Sequence, residues 1–276
     1  MIEQQKNKSP EYILGHSEEE LNRLVEQSSF YNDATRQAFS LAGITMGMRI
    51  LDLGCGAGDL SLIAGEFVGP GGYVLGIDQS NDATLVATSR AEAANLKQVQ
   101  FVVGDIHEYQ TEEPFDAIVG RLVLLYQADP VRTLQRISQL VKKEGIVLFQ
   151  EFDLSAAHCL PPTESFDRAT GIINDTFTKA RMDINLGGKL FSYFESAGLP
   201  SPQGIAFQRV FGKPDQAAIN YILTTIKSLE PFAIKLGVID RPVDFEKWSG
   251  EIRKEVLQHK SVMYTPLLVS AWSKIQ

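Results

Sequence analysis

An apolar run at 48–53 ends in Leu51-Asp52-Leu53-Gly54-Cys55-Gly56-Ala57-Gly58, and helical periodicity follows at 59–68. This order of strand, glycine turn and helix constrains the chain more than any other feature. Glycine is needed where the backbone bends sharply or approaches a ligand closely. In open α/β sheets such turns lie outside the carboxyl ends of the strands, where ligands bind. The alternation continues with apolar runs at 73–77, 99–103, 115–119 and 145–149, separated by helical stretches at 83–96 and 129–141. Gly69-Pro70-Gly71-Gly72 stops the first helix, and Asp129-Pro130 supplies an N-cap and first helical residue for another. Strands alternating with helices imply right-handed crossovers and a parallel sheet covered on both faces.

Three zones follow. Residues 1–45 read as an N-terminal helical lid. Leu21, Leu24 and Val25 share one face, Phe39, Leu41 and Ala42 belong to a second helix, and Ser17 with Glu20 resembles a capping box. Residues 46–153 form the ligand-binding core. Residues 154–276 complete the sheet and carry inserted cap helices at about 154–185 and 213–260. In this zone 154–162 reads as a loop, while 205–211 and 262–272 read as strands that finish the sheet as an antiparallel pair. The expected fold is α/β: a Rossmann-like, doubly wound, seven-stranded, mostly parallel sheet with an antiparallel C-terminal strand and a helical cap.

Composition narrows the function. Hydrophobic residues make up 44% of the 276 and charged residues 22%, ordinary for a globular protein. The net charge of −8 argues against nucleic-acid partners, whose binding draws on Lys/Arg contacts to phosphates. The apolar runs are too short for a membrane span, and the polar N-terminus lacks a secretory apolar stretch, so a cytoplasmic location is expected. The two cysteines, Cys55 and Cys159, form neither a disulfide framework nor a zinc motif, and no metal site is expected. A homodimer is left open.

The glycine turn does not fit a dinucleotide. The Gly-x-Gly-x-x-Gly fingerprint meets Asp59 in one register and Ser61 in the other. An acid at the helix start would also repel a pyrophosphate. Residues 51–58 instead resemble the first motif of the class I S-adenosylmethionine-dependent methyltransferases, of the small-molecule ubiquinone-biosynthesis branch. That resemblance implies that Asp52, Gly54, Cys55, Gly56 and Gly58 pack against the methionine part of S-adenosyl-L-methionine. It implies that Asp78, 20 residues beyond Gly58, accepts hydrogen bonds from the ribose hydroxyls, with Gln79 beside it. It assigns Asp105, after Gly104, to the adenine amino group and Ile106 to the adenine ring. Arg121 after the fourth strand becomes an anchor for the cofactor carboxylate or for substrate. Tyr12, His16 and Gln27 become candidates for the methionine end.

The Asn/Asp-Pro-Pro-Tyr/Phe motif that serves exocyclic and amide nitrogens is missing at 120–126. A covered, partly apolar pocket favours a small-molecule metabolite, methylated on O, N or C. The alternatives are a protein or peptide methyltransferase, or a catalytically silent cofactor-binding regulator. An oxygen acceptor needs a base, for which His158 and Glu151, after the fifth strand, are the candidates.

Overall fold

The computed structural model describes the backbone of residues 18–276 and the side chains from residue 30 onward. In chain order the elements are α1 Glu18–Ala42, β1 Arg49–Leu53, α2 Asp59–Val68, β2 Tyr73–Asp78, α3 Asn81–Ala93, β3 Val99–Val103, β4 Phe115–Arg121, α4 Pro130–Ser138, β5 Val141–Asp153, β6 His158–Leu160, α5 Glu164–Lys179, α6 Leu186–Ser196, β7 Gln203–Phe207, β8 Val210–Phe211, α7 Gln216–Lys235, α8 Phe245–His259, β9 Val262–Tyr264 and β10 Leu267–Lys274.

Seven strands form one sheet in the order β3-β2-β1-β4-β5-β10-β7. The first five are parallel. Only β10 runs against its neighbours β5 and β7, so β7 points the same way as β5. The sheet is therefore Rossmann-like, mostly parallel and closed by an antiparallel C-terminal strand, as expected. Side chains alternate across it with period two. Leu51, Leu53, Ile77 and Phe149 meet α4 and α6 on one face. Ile50, Val74, Val119 and Leu148 meet α1 and α2 on the other. A third apolar core lies under the cap, where Phe166, Ile173, Ile222, Ile226, Trp248 and Ile252 from α5, α7 and α8 pack together.

Several local expectations gave way to longer-range pairing. Residues 262–272 form two strands, because Thr265-Pro266 interrupts the run and Pro266 has no N–H to donate. Residues 205–211 likewise split into β7 and β8. The fragments β8 and β9 join β6, inside the expected loop 154–162, in a small sheet of order β6-β9-β8. The expected pair of N-terminal helices is one helix of 25 residues. The proposed Ser17 cap lies outside the described residues.

Helix α1 joins the sheet to the cap. Tyr31, Ala34, Thr35, Ala38, Phe39 and Ala42 fall on one stripe at helical spacing, and all are buried. Tyr31 and Ala34 enter the cap core, while Ala38, Phe39 and Ala42 enter the sheet core. Helix α6 packs as closely on the end of β5, since a Cβ at Gly187 would stand 2.6 Å from the backbone oxygen of Glu151. Gly187→Ala is therefore expected to destabilise the fold by about 1–3 kcal/mol, the usual cost of forcing a methyl into a packed contact, read as a lowered midpoint in chemical denaturation.

Candidate functional site

The glycine turn lies where the sheet reverses its winding, between β1 and β4. Gly54, Gly56 and Gly58 all take positive φ, at 62°, 51° and 86°. A Cβ at Gly54 would stand 2.6 Å from Val123, and one at Gly58 would stand 2.9 Å from Ala87. Among the described residues nothing lies within 4 Å of that position at Gly56, so on their side this part of the loop borders open space. The turn is braced from outside. Arg90 of α3 donates to the Ala57 carbonyl and pairs with Asp59 at 2.7 Å, and Asp59 is thus the partner of a cation as well as a helix-start acid.

Asp78 at the end of β2 accepts from Gly56 N–H on Oδ2 and from Ser80 N–H on Oδ1, each at 2.9 Å. Each carboxylate oxygen has a further lone pair, which suits a pair of vicinal hydroxyls. Gly104 N–H donates to the Asp78 carbonyl. Asp105 is half-buried and accepts from His107 N–H on Oδ1. Ile106 is buried in the core beside Ile77 and Leu53. Gln79 is exposed. Cys55 is buried, and burial pushes its thiol up. Tyr12 and His16 lie outside the described residues, as does the Gln27 side chain.

Asp52 is buried and accepts from Ser61 Oγ at 2.6 Å. Its other oxygen has no hydrogen-bond partner among the described residues. Burial pushes its carboxyl up to about 7, against the Ser61 bond and the Arg121 charge. Arg121 is half-buried, donates to Thr35 Oγ1 at 3.1 Å, and is pushed down by desolvation against the carboxylates of Asp59 and Asp52. Thr35 donates to Gln150 Oε1 at 2.7 Å, and Gln150 donates to Ser270 at 2.7 Å. This buried chain ties α1 to β4, β5 and β10. The sequence reading missed Thr35 and Gln150, although Gln150 interrupts an apolar strand and so carried a signal.

The two expected bases stand in different surroundings. Glu151 is fully buried and its Oε1 accepts from Val123 N–H at 2.9 Å and Leu124 N–H at 2.7 Å. Oε2 has no partner among the described residues. Burial pushes this carboxyl up to about 8 despite those bonds, so it carries its proton at neutral pH. His158 is exposed, stacked on Tyr264 with ring centres 4.4 Å apart, and its Nδ1 lies 2.8 Å from the Ala156 carbonyl. A carbonyl can only accept, so Nδ1 donates and the free lone pair of the neutral ring sits on Nε2.

The family described as a methyltransferase domain matches residues 44–198, and the chain belongs to it. The cofactor of this class is S-adenosylmethionine. Among curated relatives, a ubiquinone biosynthesis O-methyltransferase of Glaesserella parasuis is 32% identical over 133 residues, 46% of this chain and 52% of the relative. A demethylmenaquinone methyltransferase of Lactobacillus johnsonii is 29% identical over 131 residues, 47% of this chain and 53% of the relative. The chain thus matches about half the length of these relatives. Among solved structures, a putative methyltransferase of Bacillus halodurans superposes with a TM-score of 0.59 at 16% identity, over 88% of this chain and 98% of that one. The YcgJ protein of Bacillus subtilis gives 0.56 at 16% identity, over 89% and 99%. These two share the fold.

The buried carboxyls give the fold a pH dependence. An unfolded glutamate titrates near 4.5, and the folded group titrates at about 8. Glu151 therefore contributes stability that is complete below the first value and is lost as pH rises through the second. Asp52 acts with the same sign up to about 7. Glu151→Gln keeps the acceptor for Val123 and Leu124 and removes the titration. Thermal melts at pH 6 and pH 9 should show a fall in Tm for the wild type and a clearly smaller fall for this variant.

Proposed function

We propose that the chain binds S-adenosylmethionine along the carboxyl edge of β1–β4 and transfers its methyl group to a small-molecule metabolite. The open space at Gly56, directly beside a carboxylate with two acceptor positions left, carries this reading. Asp52, Gly54, Cys55, Gly56 and Gly58 would line the methionine end, Asp78 with Gln79 the ribose, and Gly104, Asp105 and Ile106 the adenine. The orphaned Asp52 oxygen and the half-buried Arg121 offer an acceptor and a cation to the amino and carboxylate groups of an amino acid. When bound, the cofactor supplies an electrophilic methyl on a sulfonium with a good leaving group.

The protein then has to align acceptor and donor and keep water out. Helix α1 would act as part of a lid over the 46–153 core, and α5, α7 and α8 would cover the acceptor side. That covered, apolar arrangement supports a metabolite over a protein substrate. The relatives are named a ubiquinone biosynthesis O-methyltransferase and a demethylmenaquinone methyltransferase, and a flat ring compound suits the aromatic side chains beneath the cap. Glu151, protonated at neutral pH, serves as a positioning residue for the turn at Val123–Leu124. His158, with its lone pair on Nε2, is the candidate base for an oxygen acceptor.

S-adenosylhomocysteine is expected to raise the Tm and NAD to leave it unchanged, because only a ligand that favours the folded state stabilises it. Asp78→Ala should weaken S-adenosylhomocysteine binding by roughly 1–3 kcal/mol, the scale of lost hydrogen bonds to a charged group, measured by calorimetry. Incubation with methyl-labelled cofactor and a metabolite extract should yield a labelled small product. Stabilisation by NAD in place of S-adenosylhomocysteine would overturn the reading.

A further inference from the structure

One cation on the carboxyl edge has no part in binding the methyl donor. Arg209 follows the end of β7, which runs parallel to β5, so it lies on the same edge as the glycine turn. Thr265, just before the antiparallel β10, lies there too. The Arg209 backbone N–H donates to Thr265 Oγ1 at 3.0 Å. Its neighbour Gln208 donates to the carbonyls of Ala156 and Thr265 at 3.0 and 2.8 Å. The position is thus fixed through the main chain, leaving the side chain uncommitted. The guanidinium stands half-buried beside two rings that pack on each other, 4.8 Å from the centre of Phe30 and 5.3 Å from that of Phe211.

Among the described residues no carboxylate pairs with this guanidinium and no protein acceptor takes a hydrogen bond from its N–H groups. A guanidinium carries five donors in a fixed fork, and semi-buried donors ordinarily find partners. The surroundings are aromatic and polar only at their tips. Phe30 packs on Tyr221 at 5.2 Å, and Tyr31 packs on Phe152, at the end of β5, at 5.0 Å. The Tyr31 hydroxyl is buried and lies 3.4 Å from that of Tyr221. Burial pushes the Tyr31 phenol up, and the positive charge of Arg209 acts on it in the opposite direction. The same phenol feels Arg121 from the donor side. Tyr31 thus feels the charge of both the cation at the end of β4 and the cation after β7.

We propose that the methyl acceptor is a planar apolar acid whose anionic oxygen pairs with Arg209 while its ring lies among Phe30, Phe211 and Tyr221. This rests on the methyl-transfer reading and names the class of acceptor within it. A guanidinium meets a carboxylate or similar oxyanion through two parallel N–H bonds. Flanking rings exclude water and strengthen that attraction. A neutral analogue would leave the half-buried cation without an oxyanion partner, and sites built to pair a polar group of the substrate discriminate against analogues that lack it.

The test uses the full chain saturated with S-adenosylhomocysteine and two fluorescent probes of one shape. Anilinonaphthalene sulfonate carries an anionic group, and phenylnaphthylamine is its neutral counterpart. Arg209→Gln keeps the stem and removes the charge, while Arg209→Lys keeps the charge. The Gln variant should bind the sulfonate about tenfold or more weakly, in line with a lost charged hydrogen bond, and bind the neutral probe as the wild type does. The Lys variant should bind the sulfonate far better than the Gln variant. Unchanged sulfonate binding in the Gln variant, or equal loss of both probes, would overturn the proposal. If the Gln variant fails to fold, wild type against Lys decides: a loss confined to the sulfonate supports the pairing, and no difference or an equal loss of both probes overturns it. Binding of S-adenosylhomocysteine, measured on each variant, reports on the methyl-donor site alone and so separates failure of that reading from failure of this one.

Discussion

The structure turns on the close approach of two turns at the point where the sheet reverses its winding. Gly54 after β1 and Val123 after β4 come so near that a single added carbon would stand 2.6 Å from the valine side chain. Each turn needs its own support to sit there. Glu151 Oε1 holds the second turn through the N–H groups of Val123 and Leu124, and Leu122 before them takes a positive φ of 59°, a strained conformation for a bulky residue. Asp78 holds the first turn through Gly56 N–H and fixes Gly104 through its own carbonyl. One line of contacts thus runs from β5 through β4 and β1 to β2 and β3. Along it the backbone is held by the chain's own hydrogen bonds, and a site held in this way binds without a large ordering cost.

A second line crosses the first at Arg121. From its guanidinium the hydrogen bonds run to Thr35, Gln150 and Ser270. The three acceptors belong to α1, β5 and β10, so the donor site shares buried polar groups with the helix that carries Tyr31 into the cap. Buried networks of this sort are stable only when every member is paired. A shift of α1 would therefore disturb both Arg121 and the aromatic cluster around Tyr31. The sheet and the cap are joined mechanically by one stripe of α1.

Much of the core was legible because its signals are local. The limits 59–68 for α2 and 99–103 for β3 follow directly from periodicity, and Asp129 caps α4 through Arg132 N–H as its position before Pro130 implies. The glycine turn announced itself through three residues at alternate positions. What stayed hidden depends on distant partners. The split of 262–272 needs the pairing of β9 with β6 and β8, and β6 lies a hundred residues away. Thr35 meets Gln150 across 115 residues of chain. Glu151 looked like a base because it follows a strand at the active edge. Its burial, which pushes its carboxyl up to about 8 against its two backbone donors, appears only in three dimensions.

The same division separates the two halves of the reaction. The family match begins at residue 44 and ends at 198, and every described residue proposed for the methyl-donor site lies within it. Tyr31, Arg209, Tyr221 and Thr265 all lie outside it. The proposed donor site is therefore built from the part of the chain shared with the family, whereas the proposed acceptor side draws on both parts, since His158 and α5 lie inside the match and Arg209, Tyr221 and α7 outside it. Physical chemistry gives a reason for that split. The donor is one molecule with fixed polar groups, which a few strand ends can satisfy in a constant way. The acceptor differs between enzymes, so its recognition falls to the cap, where a single uncommitted guanidinium among rings can set the choice.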